Sequence, residues 1–137
     1  MNIKRYNEQF IEVWKDIPNY EGYYQASNLG RIRSIDRTLT RSDDRKVRIT
    51  GKILAPYDEG HGYRMVDLCK NGIKQKCRVH RLVAMAFIPN PLNKREVDHI
   101  NFIRHDNRVC NLRWATSKEN QNHKQYITAQ EMTQIPI

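Results

Sequence analysis

The chain has 137 residues and carries 24 basic and 15 acidic side chains, a net charge of +9 at pH 7. This length suits one compact domain, and no apolar run approaches the roughly 20 residues that a membrane span requires. The N-terminus shows no apolar signal segment, which predicts a cytoplasmic protein rather than a secreted or membrane protein.

The positive charge is concentrated in the second half of the chain. Residues 1–60 carry 11 basic and 9 acidic side chains, a net of +2, whereas residues 61–137 carry 13 and 6, a net of +7. Such a basic domain suggests a polyanionic partner. Nucleic acid fits better than an anionic membrane surface, because no long amphipathic basic helix is present.

The first third of the chain reads as short strands and turns. In residues 11–35, short apolar pieces are separated by Pro-Asn, Glu-Gly and Asn-Leu-Gly, which is typical of strand punctuation. Residues 37–48 are polar and rich in arginine, which predicts an exposed loop. Residues 52–57 are predicted to form a further strand.

The middle of the chain carries a hairpin and a helix. Residues 62–79 are predicted to form two strands around Asn71-Gly72, the strongest two-residue hairpin signal. The period then changes, and residues 80–87 place apolar side chains at helical spacing until Pro89 stops the helix.

The last part of the chain has the order strand, loop, strand, helix. Strands are predicted at residues 96–100 and 112–115, with a polar loop over 101–110 between them. The sequence Thr116-x-x-Glu119 is a capping box that opens a helix reaching about residue 124. Residues 125–137 have weak helical character. The result is a small ββα unit followed by a tail.

This ββα unit carries the residues suited to phosphodiester hydrolysis. Asp98 and Asn120 offer oxygen ligands that Mg²⁺ or Mn²⁺ prefers, and His123 shares a helix face with Asn120. A histidine such as His99, with an ordinary pKa of about 6.5, can deprotonate water beside a divalent cation. Neighbouring strand residues point to opposite faces, so Asp98 and His99 can serve one site only where the strand ends.

Two sets of segments carry a family resemblance. The first resembles an HNH nuclease: His80-Arg81-Leu82-Val83-Ala84, Val97-Asp98-His99-Ile100, Asn111-Leu112-Arg113-Trp114 and Asn120. The second resembles the nuclease-associated module that often precedes it: Trp14-Lys15-Asp16-Ile17, Tyr20, Tyr24-Gln25-Ala26-Ser27-Asn28 and Gly30-Arg31-Ile32-Arg33-Ser34. Together they cover residues 11–124 and are most similar to the HNH homing endonucleases of phage introns and their free-standing relatives.

The resemblance implies an α+β fold, with an N-terminal antiparallel β-sheet module followed by a ββα-metal nuclease core. By the same likeness, His99 is the general base, and Asp98 and Asn120 bind Mg²⁺ or Mn²⁺, with His123 as a rival ligand. Asn111 resembles the middle Asn of the motif, which pins the loop so that the histidine is oriented.

The chain departs from the family pattern at two places in this unit. Many HNH proteins carry His where this chain has Asn120, which implies a more oxygen-like metal site. The loop after Asp98-His99 usually reads like Asp-Gly-Asn, whereas here it reads Asn101-Phe102-Ile103, so the turn is expected to change.

We therefore divide the chain into a DNA-binding module (1–60), a nuclease domain with a basic hairpin (61–124) and a C-terminal tail (125–137). Basic side chains of both modules are expected to meet duplex DNA, phosphates more often than bases. These are Arg31, Arg33, Arg64, Lys74, Lys76, Arg78, Arg104, Arg108 and Arg113.

The predicted function is that of a metal-dependent homing-type DNA endonuclease that hydrolyses one strand per active site. A homodimer is expected if both strands are cut, and the protein acts in the host cytoplasm if a phage encodes it. One alternative is a non-catalytic DNA-binding regulator on a nuclease-derived fold. Another is a zinc-stabilised interaction protein using Cys69, Cys77 and Cys110, although their spacing matches no common zinc template and favours reduced thiols.

Overall fold

Antiparallel strand pairs make up most of the fold. The structure is a computed structural model, and it describes residues 11–123. Within that range, the strands are β1 (Trp14–Asp16), β2 (Tyr24–Ser27), β3 (Ile32–Ser34), β4 (Arg37–Thr40), β5 (Lys46–Ile49), β6 (Tyr57–Asp58), β7 (Arg64–Lys70), β8 (Ile73–Arg78), β9 (Glu96–His99) and β10 (Leu112–Ala115). Helix α1 spans Val79–Phe87, and the described part of helix α2 covers 117–123.

The N-terminal sheet has the order β1-β2-β3, which confirms the short strands predicted for this region. Trp14 pairs with Ser27, and Tyr24 pairs with Ser34. The turns between the strands pass through Asn19 and Gly30, both in the left-handed region of φ. Residues that tolerate this conformation therefore separate the strands, as the sequence punctuation indicates.

The predicted loop over residues 37–48 is wrong, because this segment forms the β4–β5 hairpin. Arg37 pairs with Ile49 and Thr40 pairs with Lys46. Asp44, with φ of 61°, makes the turn, and the Asp43 carboxylate accepts a hydrogen bond from the backbone N–H of Arg45. Both faces of this hairpin are largely exposed, so it lacks the apolar alternation by which a half-buried strand is recognised.

The strand predicted over residues 52–57 is largely wrong. An isolated bridge joins Ile53 to Arg33, and strand β6 begins only at Tyr57. Pro56 lies between them and has no N–H to give to a ladder, so regular pairing cannot run through this segment.

The central hairpin and the first helix are confirmed. Strands β7 and β8 pair from Met65–Arg78 to Lys70–Ile73. Asn71 and Gly72 have φ values of 53° and 76°. A type I′ turn requires two such positive values at its central residues. Helix α1 ends at Phe87, two residues before Pro89, and the N–H of Ile88 bonds to the carbonyl of Ala84.

The ββα unit is also confirmed. Strands β9 and β10 pair antiparallel, with Leu112 opposite His99. The capping box forms as predicted, since Thr116 Oγ1 accepts from the Glu119 N–H at 3.1 Å. The predicted end of this helix near residue 124 and the predicted helical tail lie outside the described residues.

One hydrophobic core joins the N-terminal sheet, the central hairpin, helix α1 and the ββα unit. It consists of Ile17, Tyr24, Ala26, Ile32, Val66, Leu68, Val79, Leu82, Val83, Ala84, Val97 and Leu112. Helix α1 contacts strands from each of these parts and is therefore the central element. Among the described residues, no helix has the length and apolarity needed to cross a membrane.

Replacing Leu68 tests this shared core. Leu68 is fully buried, so Leu68→Ala should lower the free energy of unfolding by about 2–5 kcal/mol through lost burial and a cavity. Ile73 on the same hairpin is 71% exposed. Because surface changes are usually small, Ile73→Ala should alter the free energy of unfolding by about 0.5 kcal/mol at most. Urea unfolding of both variants measures the difference, and equal effects would contradict the shared core.

Candidate active site

The ββα unit and Tyr63, the residue before strand β7, line a cavity of about 250 Å³. Its lining is Tyr63, Val97, Asp98, His99, Phe102, Arg104 and Asn120. The cavity thus brings together three predicted site residues that come from strand β9 and helix α2. Tyr63, Phe102 and Arg104 supply two aromatic rings and a guanidinium to its walls.

Asp98 and His99 reach the same cavity because strand β9 ends at His99. The chain turns immediately afterwards, with the N–H of Phe102 bonded to the carbonyl of His99 at 3.0 Å. Ile100 is held in turn by a hydrogen bond from its N–H to the carbonyl of Asn111 at 2.8 Å. Asp98 and His99 can therefore serve one site, because the strand ends there as the sequence analysis requires.

His99 is buried and bonded on one side. Its Nε2 lies 2.9 Å from Asn107 Oδ1. An amide oxygen can only accept, so Nε2 carries the proton and Nδ1 keeps its lone pair. Burial lowers the pKa of His99, against smaller opposing effects of the Asn107 hydrogen bond and nearby carboxylates. The imidazole is therefore neutral near pH 7, which is the form that can accept a proton.

A second histidine packs against the first. The ring of His80 lies 4.8 Å from that of His99 and is stacked on Tyr63 at 5.3 Å, between ring centroids. Burial is the main reason why the pKa of His80 falls to about 3, and its Nδ1 has no hydrogen-bond partner among the described residues. His80 is therefore a neutral, aromatic wall behind His99.

Asp98 is held through one of its two carboxylate oxygens. Oδ2 accepts a hydrogen bond from Arg113 Nε at 2.9 Å and lies 2.8 Å from His123 Nδ1. His123 also stacks on Phe102, with 4.4 Å between the ring centroids. Both described contacts of this buried carboxylate engage the same oxygen. Arg113 on strand β10 and His123 on helix α2 therefore set the orientation of the carboxylate.

Asn120 presents a buried oxygen without a partner. Its Nδ2 donates to Glu96 Oε2 at 3.0 Å, and Ser117 Oγ donates to the other oxygen of Glu96 at 2.9 Å. The amide orientation is therefore fixed, whereas Asn120 Oδ1 is buried and has no hydrogen-bond partner among the described residues. Such an orphaned acceptor needs a cation or a donor beyond those that residues 11–123 supply.

The donor set of the cavity fits a hard divalent cation. Asp98 and Asn120 supply a carboxylate and an amide oxygen, and Mg²⁺ usually takes few protein ligands and fills its octahedron with water or substrate oxygens. Across residues 11–123, no group of three or more His, Cys, Asp or Glu side chains is placed to hold a metal ion. Cys69, Cys77 and Cys110 are free thiols, so the structure does not gather them into a zinc site.

Asn111 fastens the loop rather than the histidine. Its Oδ1 accepts from the N–H of Asn101 at 2.9 Å, and its Nδ2 donates to Asn101 Oδ1 and to the carbonyl of Asp106. The side chain that forms a hydrogen bond with His99 is instead Asn107, which sequence reasoning missed. Asn107 lies in an irregular polar loop where no periodicity or spacing singles it out.

The unusual loop sequence is accommodated by backbone conformation. Phe102 has φ of 65°, in the left-handed region where glycine is the usual residue. The loop is tied further by Asp106, which accepts from Asn101 Nδ2 and from two nitrogens of Arg108. These contacts hold the pKa of Asp106 at about 2, with the Arg108 hydrogen bond as the main cause.

Four of the nine basic residues predicted to meet DNA lie on or beside this cavity. Arg78 and Arg104 flank the Tyr63 ring at 4.7 and 4.8 Å from its centroid. Arg113 is bonded to Asp98, and Arg108 is bonded to Asp106 in the adjoining loop.

The other five basic residues lie away from the cavity. Arg31 and Arg33 lie on the N-terminal sheet beside the Trp14 ring, and Arg31 pairs with Glu12. Arg64, Lys74 and Lys76 lie on the central hairpin, where Lys74 approaches Asp67 and Lys76 pairs with Glu59. The predicted contacts are therefore split between the site and two flanking surfaces.

Two family models match the chain in sequence order. The model of the NUMOD4 motif matches residues 12–69, and the model described as HNH endonuclease matches residues 77–122. Both parts of the resemblance drawn from the sequence are confirmed by these matches.

Relatives agree with the family models. The chain is 40% identical over 117 residues to an uncharacterized HNH endonuclease of Acanthamoeba polyphaga mimivirus, which covers 82% of this chain and 26% of that protein. It is 35% identical over 125 residues to DNA endonuclease I-HmuI of Bacillus phage SP01, which covers 89% and 64%. The chain thus spans less than two thirds of the length of either relative.

A solved structure shares the fold. It is described as "DNA binding and cleavage by the HNH homing endonuclease I-HmuI", and the match has a TM-score of 0.60 at 30% sequence identity. The match covers 90% of this chain and 67% of that chain. The predicted fold class is therefore confirmed.

Removing the Asn111 side chain tests its role in the loop. Asn111→Ala should cost about 1–3 kcal/mol of stability, because buried hydrogen-bonding groups lose their partners. Hydrogen exchange at the Asn101 amide, which donates to Asn111, should become faster. Asn122→Ala, at an exposed asparagine, is the matched control, and unchanged exchange at Asn101 in Asn111→Ala would refute the role.

Proposed function

The chain belongs to the HNH endonuclease family, and from that premise we propose that it is a metal-dependent, homing-type endonuclease that hydrolyses phosphodiester bonds of duplex DNA. The observation that carries this proposal is the convergence of Asp98, His99 and Asn120 on one cavity. A neutral imidazole and two oxygen donors are the groups that metal-assisted attack of water requires.

His99 is the general base in this proposal. Its Nδ1 lone pair accepts a proton from the attacking water, while the Nε2 proton stays bonded to Asn107. Burial supports this role, because it lowers the pKa of the imidazole and keeps the ring neutral before the reaction. The His80 ring packs against His99 and is stacked on Tyr63, so aromatic contacts help to hold the imidazole in place.

Asp98 and Asn120 are the residues that would hold the cation, Mg²⁺ or Mn²⁺. When bound there, such a cation stabilises the negative charge that develops on the phosphate and on the leaving oxygen. Asn120 is preferred over His123 because Asn120 lines the cavity, whereas His123 Nδ1 lies 2.8 Å from Asp98 Oδ2. His123 and Arg113 then act as partners that orient the Asp98 carboxylate, as outer partners of metal ligands commonly do.

The basic residues are assigned to the DNA backbone. Arg78 and Arg104 lie next to the cavity and are placed to clamp the phosphate that is cut or its neighbours. The N-terminal sheet (Arg31, Arg33) and the central hairpin (Arg64, Lys74, Lys76), together with Arg108 and Arg113, extend this contact along the duplex. The division into a DNA-binding module (1–60), a nuclease domain (61–124) and a tail (125–137) belongs to the same proposal.

One such site hydrolyses one strand at a time. A double-strand break therefore needs two successive reactions or a homodimer with two sites. Acting on DNA, the protein would work in the cytoplasm, that of the host cell if a phage encodes it.

A plasmid assay tests the function. Wild-type protein should convert supercoiled plasmids from a genomic-fragment library to open circles with Mg²⁺ or Mn²⁺, and EDTA should stop the reaction. His99→Ala should still bind DNA but nick at least about 100-fold more slowly, because general-base catalysis contributes that much. His105→Ala, at an exposed histidine in the same loop, should nick like the wild type.

Two outcomes of this assay would count against the proposal. If wild type and His99→Ala both bind DNA but neither cuts any fragment, the chain is a DNA-binding regulator on a nuclease fold. If His99→Ala cuts at the wild-type rate, another group is the base.

Metal titration tests the ligand assignment separately from cleavage. Binding of Mn²⁺, followed by its electron paramagnetic resonance signal, should weaken at least about 10-fold in Asn120→Ala. Asn120→Asp should bind Mn²⁺ at least as well as wild type, because a carboxylate oxygen replaces the amide oxygen. A larger loss in His123→Ala than in Asn120→Ala would make His123 the ligand.

A further inference from the structure

We infer that the turn Ser27–Gly30 of the N-terminal sheet helps to position His99, acting through Asn107. This inference rests on the proposed function of His99 as the base. It means that the N-terminal module does more than extend the DNA contact, because it completes the active site of the nuclease module. Asn107 is then a positioning residue. Gly30 is the residue of the N-terminal module that fixes the backbone position of Asn107.

The link begins at the hydrogen bond between Asn107 and His99. Asn107 is buried, with 5% of its surface exposed, and its Oδ1 lies 2.9 Å from His99 Nε2. This bond fixes two properties of the imidazole, namely its ring orientation and which nitrogen holds the proton. Both properties decide whether the Nδ1 lone pair points into the cavity.

Asn107 lies in a loop without regular structure, so other contacts must hold its backbone. Gly30 provides one of them. A Cβ atom at Gly30 would lie 2.8 Å from the carbonyl carbon, 2.9 Å from the carbonyl oxygen and 3.0 Å from the Cβ of Asn107. The two backbones therefore meet so closely that only glycine fits at residue 30, whose φ is 89° and is itself a conformation that glycine adopts freely.

A backbone hydrogen bond secures the same contact two residues further on. The N–H of Val109 donates to the carbonyl of Asn28 at 2.9 Å. Gly30 and Asn28 thus hold the chain at and after Asn107. On the other side of the loop, Asn111 bonds to the carbonyl of Asp106, the residue before Asn107.

The turn itself is rigid. Ser27 is fully buried, and its Oγ accepts from the N–H groups of Leu29 and Arg31 at 3.2 and 3.0 Å. The Asn28 side chain accepts from the N–H of Val13 at 2.7 Å and donates to the carbonyl of Ile11 at 2.9 Å. The turn is therefore a fixed surface against which Asn107 is seated, rather than a loop that follows it.

Two glycines allow a matched test. Gly30→Ala and Gly22→Ala both place a side chain at a positive φ, 89° and 81°, so their backbone costs are similar. At Gly22 nothing lies within 4 Å of the added Cβ, whereas at Gly30 the Cβ meets Asn107. A difference between the two variants therefore reports the contact with Asn107.

The first measurement needs neither metal nor DNA. Nitrogen-15 chemical shifts of the His99 ring, at one pH, show which nitrogen carries the proton. Wild type and Gly22→Ala should show the Nε2-protonated form, and Asn107→Ala and Gly30→Ala should show a mixture of both forms. Asn107→Asp, which keeps an acceptor at this place, should restore the Nε2-protonated form.

The second measurement is the nicking rate at saturating DNA. Asn107→Ala and Gly30→Ala should each lower this rate by about 10- to 100-fold, the effect of small misplacement in a catalytic group. Affinity for DNA should stay as in Gly22→Ala. Because both changes act through one contact, the double variant should be no slower than Asn107→Ala alone.

Several results would overturn the inference. It is wrong if Gly30→Ala matches Gly22→Ala in tautomer and rate, or if the two effects add fully in the double variant. Should Gly30→Ala fail to fold, Ser27→Ala loosens the same turn without adding an atom and should give the same two changes. If wild type cuts nothing but the tautomer changes as expected, the proposed function fails while the positioning contact stands.

Discussion

The site depends on where strand β9 stops. Two neighbouring strand residues normally face opposite sides of a sheet. Asp98 and His99 nevertheless line one cavity, because the strand ends and the chain turns at His99. Two backbone hydrogen bonds, from the N–H groups of Ile100 and Phe102, support this turn, and side chains supply further bonds where the strand pairing has ended. Asn111 and Asp106 provide those bonds within the loop. The chemistry of the cavity is therefore set by a loop whose order comes from asparagine and aspartate side chains.

Burial has different consequences for the two kinds of group in the cavity. For His99 and His80, desolvation favours the neutral ring, and the stack of His80 on Tyr63 replaces lost water with aromatic contact. For Asp98, a buried carboxylate is tolerated because Arg113 and His123 meet its Oδ2. A neutral imidazole thus lies next to a paired carboxylate within one small volume, and the proposed hydrolysis depends on this combination.

The parts of the fold that the sequence predicts are those with a local physical signal. Asn71-Gly72 marks the hairpin, Pro89 ends helix α1, and Thr116 caps helix α2. The β4–β5 hairpin has no such signal, since its exposed strands lack an apolar face. For the site, Asp98, His99 and Asn120 follow from motif and chemistry, and the cavity brings them together.

Asn107 could not be predicted in the same way, because its importance arises from a bond to His99 and from close packing against Gly30, which is distant in sequence. Phe102 is a related case with an evolutionary consequence. Its left-handed backbone costs about 1 kcal/mol or more, and its ring stacks on His123, whose Nδ1 lies 2.8 Å from Asp98 Oδ2. A glycine at residue 102 would adopt this turn without strain but would lose the stack on His123. Residues 102 and 123 should therefore covary across the family, with aromatic pairs replaced together.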